Sequence, residues 1–275
     1  EWDNKQTPQD NIDETYDSFL SSRPKSFEND AINHLIRLNR QQGEQGKQAH
    51  IHIVHLSSAE ALHNIHLARE AGMPLTVETC PHYLTLESES IADGETLFKC
   101  CPPIREHDNR QKLWQGLKEG IIDFVVSDHS PCTPALKHRD SGRFDQAWGG
   151  ISALQFTLPL IYTEAKKQGV DLLQVSRWIS LETSKFAGLD KRKGQIAPGM
   201  DADLLVFDTD AISTISEQDI QHKHKITPYL GQTLCGQVIT TYLRGTKIFE
   251  RGECIGQPLG QTLLRDPTSQ EIVNE

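Results

Sequence analysis

The apolar positions of this chain fall into short runs separated by amphipathic stretches, and the two alternate regularly up to about residue 190. AHIHIVHLSS (49–58) is short and rich in β-branched residues, which predicts a strand. Ser57-x-x-Glu60 has the form of a capping box, and EALHNIHLAREA behind it predicts a helix that stops at Gly72. The cycle repeats: PLTVETC (74–80), ETLFKCC (95–101) and IIDFVVS (121–127) predict three further strands. DNRQKLWQGLKEG (108–120) predicts a helix ending at Gly120, and two longer helical segments follow near 150–168 and 171–187. Ahead of the first strand, residues 1–25 read as polar loop with a short helix near 13–20. Ser26 offers a cap to a helix over about 27–42 that carries Ile32, Leu35 and Ile36 on one face.

Strands alternating with helices at this spacing predict parallel β-α units with helices covering the sheet, an α/β fold. Past residue 190 the texture changes. IAPGMDADLLVFD and GQVITTYLRGTKIFERGE read as short strands joined by glycine turns. The division expected is therefore 1–190 for the α/β body and 191–275 for a small β region with a carboxyl-terminal tail.

Charge and composition narrow the function. A net charge of −10 argues against nucleic-acid binding through bulk basicity. No stretch approaches the roughly 20 apolar residues of a membrane span, and EWDNKQTPQD is no signal peptide. The chain starts without Met, so a piece of a longer protein is one expectation. The six cysteines (80, 100, 101, 132, 235 and 254) form no C-x-x-C pair. Reduced thiols in an intracellular compartment, cytoplasm or organelle, are expected.

Candidate chemistry lies at the strand ends. His55 closes IHIVH, His82 follows LTVET in Cys80-Pro81-His82-Tyr83, and Asp128 closes DFVVS. In parallel α/β folds that edge is where ligands bind, and two imidazoles with a carboxylate suit a divalent metal such as Zn²⁺. Each alone reads equally as a half-buried histidine or, for Asp128, a turn former. Three at equivalent strand ends are what point to a metal. His50, His52, His63, His66, His222 and His224 are not so placed, and structural or solvent roles are expected of them.

HIVHLSS, ETCPHYLTL, CCPPIRE, DFVVSDHSPC, AWGGISALQ and GQIAPGMDADLLVFD, in that order, resemble the cyclic amidohydrolases, a group that includes allantoin-, hydantoin/dihydropyrimidine- and dihydroorotate-opening enzymes. CPPIR, SDHSPC before AWGGI, and HKHKITPYLG (222–231) are most similar to the allantoin-opening branch. The resemblance implies a metal-dependent (β/α)₈ TIM barrel, represented here by its second half (strands 5–8), and a small β-sandwich. It implies two Zn²⁺ ions bridged by a carbamylated lysine, a small-molecule substrate and a homotetramer when complete. It implies that His55 and His82 hold one metal and that Asp128 binds the other and shuttles the proton. Cys101, Pro102, Trp148 and Gly149 match substrate-contacting loops, with Cys101 standing where relatives often have Ser. Arg105 or backbone amides would orient the ureido group.

The resembled pattern also contains a His-x-His pair on the first strand and the bridging lysine on the fourth, and neither has a counterpart before residue 50. The expectation is thus a carboxyl-terminal portion with little hydrolysis on its own. A non-catalytic scaffold related to dihydropyrimidinases is the alternative from another class.

Overall fold

The computed structural model describes residues 12–264. Helix α1 (Tyr16–Ser21) opens at Thr15, whose hydroxyl accepts the Ser18 amide. Helix α2 (Lys25–Gly43) opens at Pro24, so Ser26 lies inside the first turn and is not the cap. Ile32 and Ile36, one turn apart, are buried, whereas Leu35 is 46% exposed and off that face.

The parallel sheet is built from β1 (Ile51–Ile53), β2 (Leu75–Thr79) and β3 (Phe124–Val125), in the order β1-β2-β3. Ile51 pairs with Leu75, Ile53 with Val77, and Glu78 with Phe124. The period-2 alternation sorts β2 cleanly: Leu75, Val77 and Thr79 are buried, Thr76 and Glu78 half-buried. Helices α3 (Leu62–Glu70) and α5 (His107–Lys118) bury Leu62, Ile65, Leu113, Trp114 and Leu117. They pack so closely that a Cβ on Gly116 would stand 3.0 Å from the Leu62 methyls. The half-buried positions carry a polar ladder. His52 bonds Thr76 Oγ1 at 2.9 Å and Glu78 Oε2 at 3.1 Å, and its ring stacks on Phe124.

Among the described residues, three parallel strands form where four are predicted. Residues 95–101 make a 3₁₀ turn (Thr96–Phe98) and then loop. Their polar groups close local turns, Phe98 N to Glu95 O and Lys99 N to Thr96 O, and two of their carbonyls face the Lys137 ammonium. A β-rich composition does not make a strand when the backbone groups are engaged elsewhere. The capping box is likewise absent: Ser57 Oγ donates to Pro103 O, and Glu60 accepts from Asn29.

The chain divides into two compact units, one running to Thr157 and including Ile220–Leu230, the other taking Leu158–Asp219 and the chain from Gly231 on. The second unit holds most of helix α6 (Thr157–Lys167), then α7 (Leu172–Ser176) and α8 (Glu182–Phe186), joined by a π-helical turn. Its antiparallel sheet has the order β4 (Leu204–Thr214), β5 (Thr233–Leu243), β6 (Thr246–Glu250), β7 (Glu253–Cys254). No helix among the described residues is long and apolar enough to cross a membrane.

Candidate metal centre

Two strand ends turn in the same way. His55, two residues past β1, has φ 39°, and Asp128, three past β3, has φ 42°. Simple alternation therefore stops before either residue. Histidine and aspartate tolerate this region better than most side chains, yet such backbones cost about 1 kcal/mol or more and persist where their surroundings over-determine them. Those surroundings are visible. The Glu28 carboxylate on α2 accepts the amides of Ser57 (2.8 Å) and Ser58 (3.0 Å), and Asn109 bonds Ser57 O and the Ala59 amide. Beyond Asp128, the Ser130 amide donates to Ile151 O at 2.9 Å.

Between these ends, Cys80 closes β2 and helix α4 (Pro81–Thr85) begins, with proline at its first position. That turn places Cys80 and His82 beside Asp128: the ligand-type atoms of the three lie within 4.8 Å of one another. His82 and Cys80 are fully buried. His55 is outside this trio but close enough for its charge to act on both Asp128 and His82.

Tyr229 lies against His82: its hydroxyl is 2.7 Å from Nδ1. The other ring nitrogen, Nε2, is a buried atom with no hydrogen-bond partner. His55 Nδ1 is buried and unbonded in the same way.

The electrostatics share one sense. Burial pushes the His82 imidazole down to about 3, lifts the Cys80 thiol well above its ordinary range and raises the Asp128 carboxyl, the last opposed by His55 and reinforced by Glu78. Burial holds each group toward its neutral form. Nitrogen, sulfur and carboxylate donors are the set zinc takes. The residues fit such an ion.

The four residues matched to substrate loops lie in one neighbourhood. Cys101 is exposed, with a cis peptide bond to Pro102. A Cβ on Gly149 would stand 3.1 Å from Cys101 Sγ, and Trp148, next in the chain, is 45% exposed. Arg105 differs from expectation: it is buried and its guanidinium feels the Glu28 charge, so it is not an open clamp.

A parallel β/α body with metal-type donors gathered at the carboxyl ends of its strands has the layout of a strand-end site. The chain belongs to the amidohydrolase family, whose model matches residues 32–248. It is 49% identical over 250 residues to an allantoinase of Saccharomyces cerevisiae, covering 90% of this chain and 53% of that protein. It is 47% identical to one of Streptomyces avermitilis, covering 92% and 54%. Among solved structures, a D-hydantoinase superposes with a TM-score of 0.83 at 26% identity, covering 92% of this chain and 55% of the other. The L-hydantoinase of Arthrobacter aurescens gives 0.80 at 26%, covering 89% and 53%. The chain thus spans about half the length of the relatives it matches.

Cys80, Tyr229, Glu28 and Glu78 were not among the candidates read from sequence. Cys80 carried a signal, since it stands two residues before His82 across a helix-opening proline. Tyr229 is 147 residues from His82 and carried none.

Proposed function

We propose that the protein belongs to an allantoin-opening hydrolase, which cleaves the cyclic amide of allantoin to give allantoate. The observation that carries this reading is the Cys80–His82–Asp128 trio at the strand ends, two members buried and Asp128 half-buried, in a chain whose relatives bear the name allantoinase. The three parallel strands are read as part of a (β/α)₈ barrel, and a homotetramer is the expected assembly. Domains of 1–190 and 191–275 belong to the same reading.

A divalent ion, zinc by its donor set, would make water nucleophilic at neutral pH and polarise the ring carbonyl. Cys80 and His82 would hold it with Asp128, and His55 would stand as a further donor. The rest of the chemistry rests on side chains. Asp128 would take the proton of the attacking water and return it to the departing ring nitrogen, base and then acid. A carboxylate touching the ion would keep a low pKa, ionised and ready for the first step. Tyr229, with its hydroxyl 2.7 Å from His82 Nδ1, would steady the ring and leave Nε2 for the ion. Cys101 and Trp148 would meet the ring.

The test is ring opening of allantoin, hydantoin and dihydroorotate with added Zn²⁺. Two proteins are compared: the 275-residue chain, and a chimera that sets it in place of the matching half of the yeast relative. Weak turnover is expected of the chain and clear turnover of the chimera, with allantoin opened fastest. Faster opening of either other ring would overturn the substrate.

A further inference from the structure

A buried lysine stands among the loops that would meet the substrate. Lys137, at the end of a 3₁₀ turn (Pro134–Lys137), is 3% exposed. Its ammonium faces four main-chain carbonyls: Gly150 O at 2.6 Å, Trp148 O at 3.0 Å, Lys99 O at 3.1 Å and Leu97 O at 3.4 Å. The titratable groups that act on it most are three thiols, Cys132, Cys100 and Cys101, and another lysine, Lys99. A buried ammonium normally sits against a carboxylate. Here it is neutralised by carbonyl dipoles taken from two separate segments, and its three protons exhaust what one ammonium can donate.

Those two segments are not neutral ground. One leads directly into Cys101 and Pro102, and the other is Trp148-Gly149-Gly150. They also touch each other, through Gly150 N to Lys99 O at 3.0 Å. Bare glycine is needed at the join, because a Cβ on Gly150 would meet Ser130 Oγ at 2.5 Å and Trp148 Nε1 at 2.8 Å. Lys99 braces the far side by donating to Phe144 O and Ala147 O.

We infer that Lys137 is a positioning residue for the substrate: it clasps the 97–101 and 148–150 segments so that Cys101 and Trp148 face one ring-shaped ureide together. The inference rests on the proposed allantoin reading for the identity of that ring. Without the ammonium, four carbonyls would point at one another across a buried gap, and the segments would part.

Cys101 is the reporter, with exposed Cys254 as internal control. Maleimide labelling of both thiols is followed by peptide mass spectrometry in the full chain, with and without millimolar allantoin. In the wild type, allantoin is expected to slow labelling of Cys101 at least about fivefold and to leave Cys254 unchanged. In Lys137→Met, basal labelling of Cys101 should rise about tenfold and the protection should disappear, with the far-UV spectrum retained. Lys137→Gln serves if the Met variant fails to fold. Unchanged Cys101 labelling in both variants overturns the clasp. Absence of protection in the wild type, or its persistence in the variants, overturns the positioning of substrate. A failure of the hydrolase reading shows separately, as protection in the chain with no ring opening by the chimera.

Discussion

The two units bury different things. The parallel unit hides polar and ionisable groups around its strand ends: Ser57, Ser58, Thr79, His82, Lys99, Arg105 and Lys137 are all buried. The antiparallel unit buries one carboxylate, Glu164, against Lys167, and holds its other ion pairs nearer the surface, Lys193 with Asp201 and Asp203, Lys185 with Glu182, and Lys247 with Glu250. A buried polar group costs stability unless it is fully bonded, whereas exposed pairs contribute little either way. The first unit therefore carries a cost that a function would explain, and the second reads as scaffold. Substitutions in the first should change chemistry more than stability, and those in the second the reverse.

The sharpest break of that contrast is Asp128→Asn. Removing the group that would move the proton is expected to lower ring opening by about 10²–10⁴-fold in the chimera while the melting temperature holds. Equal loss of activity and fold would make Asp128 structural. Next in size is Gly236→Ala in the second unit. Gly236 has φ 84°, and a Cβ there would run into the Phe207 ring and stand 2.9 Å from Tyr162 Cδ1. Strain and overpacking should cost about 2–4 kcal/mol. Hydrogen exchange should localise the loss to β4 and β5 and leave the first unit's amides protected.

A smaller effect is expected from His82→Gln. The buried imidazole stays neutral in the folded chain down to about pH 3, while the unfolded chain takes up that proton near 6.5. Its contribution is thus full above the unfolded value and is lost as pH falls from about 6.5 toward about 3. Urea titrations in chelator should show a flatter dependence across that window for the variant than for the wild type. Smallest is Lys193→Met, expected to lower stability slightly, less so in high salt, with ring opening unchanged.

These regions were not equally legible. Hydrophobic periodicity gave β2, α3 and α5 close to their observed bounds and located β1 and β3, which are much shorter than the runs 49–58 and 121–127 predict. It failed at 95–101, where the decisive partner of the backbone is Lys137, some 40 residues later. Strand-end logic found His55, His82 and Asp128, because the carboxyl edge of a parallel sheet is a position that topology dictates. It brought His82 and Asp128 together but passed over Cys80, whose one signal is its place two residues before His82 across Pro81. Tyr229 and Lys137 act through the tertiary fold alone. Alternation counted from β3 could not foresee that Asp128 would sit at positive φ, since the strand ends at Val125.

The central claim, that the strand-end trio holds a divalent cation, is tested most directly by metal content after equilibrium dialysis. The wild-type chain and the variants Cys80→Ser, His82→Gln and Asp128→Asn would be dialysed against buffered Zn²⁺ and measured by atomic emission. The wild type should retain the ion, and each variant should lose it at the same free concentration. Retention by all three variants at the wild-type level would contradict the claim.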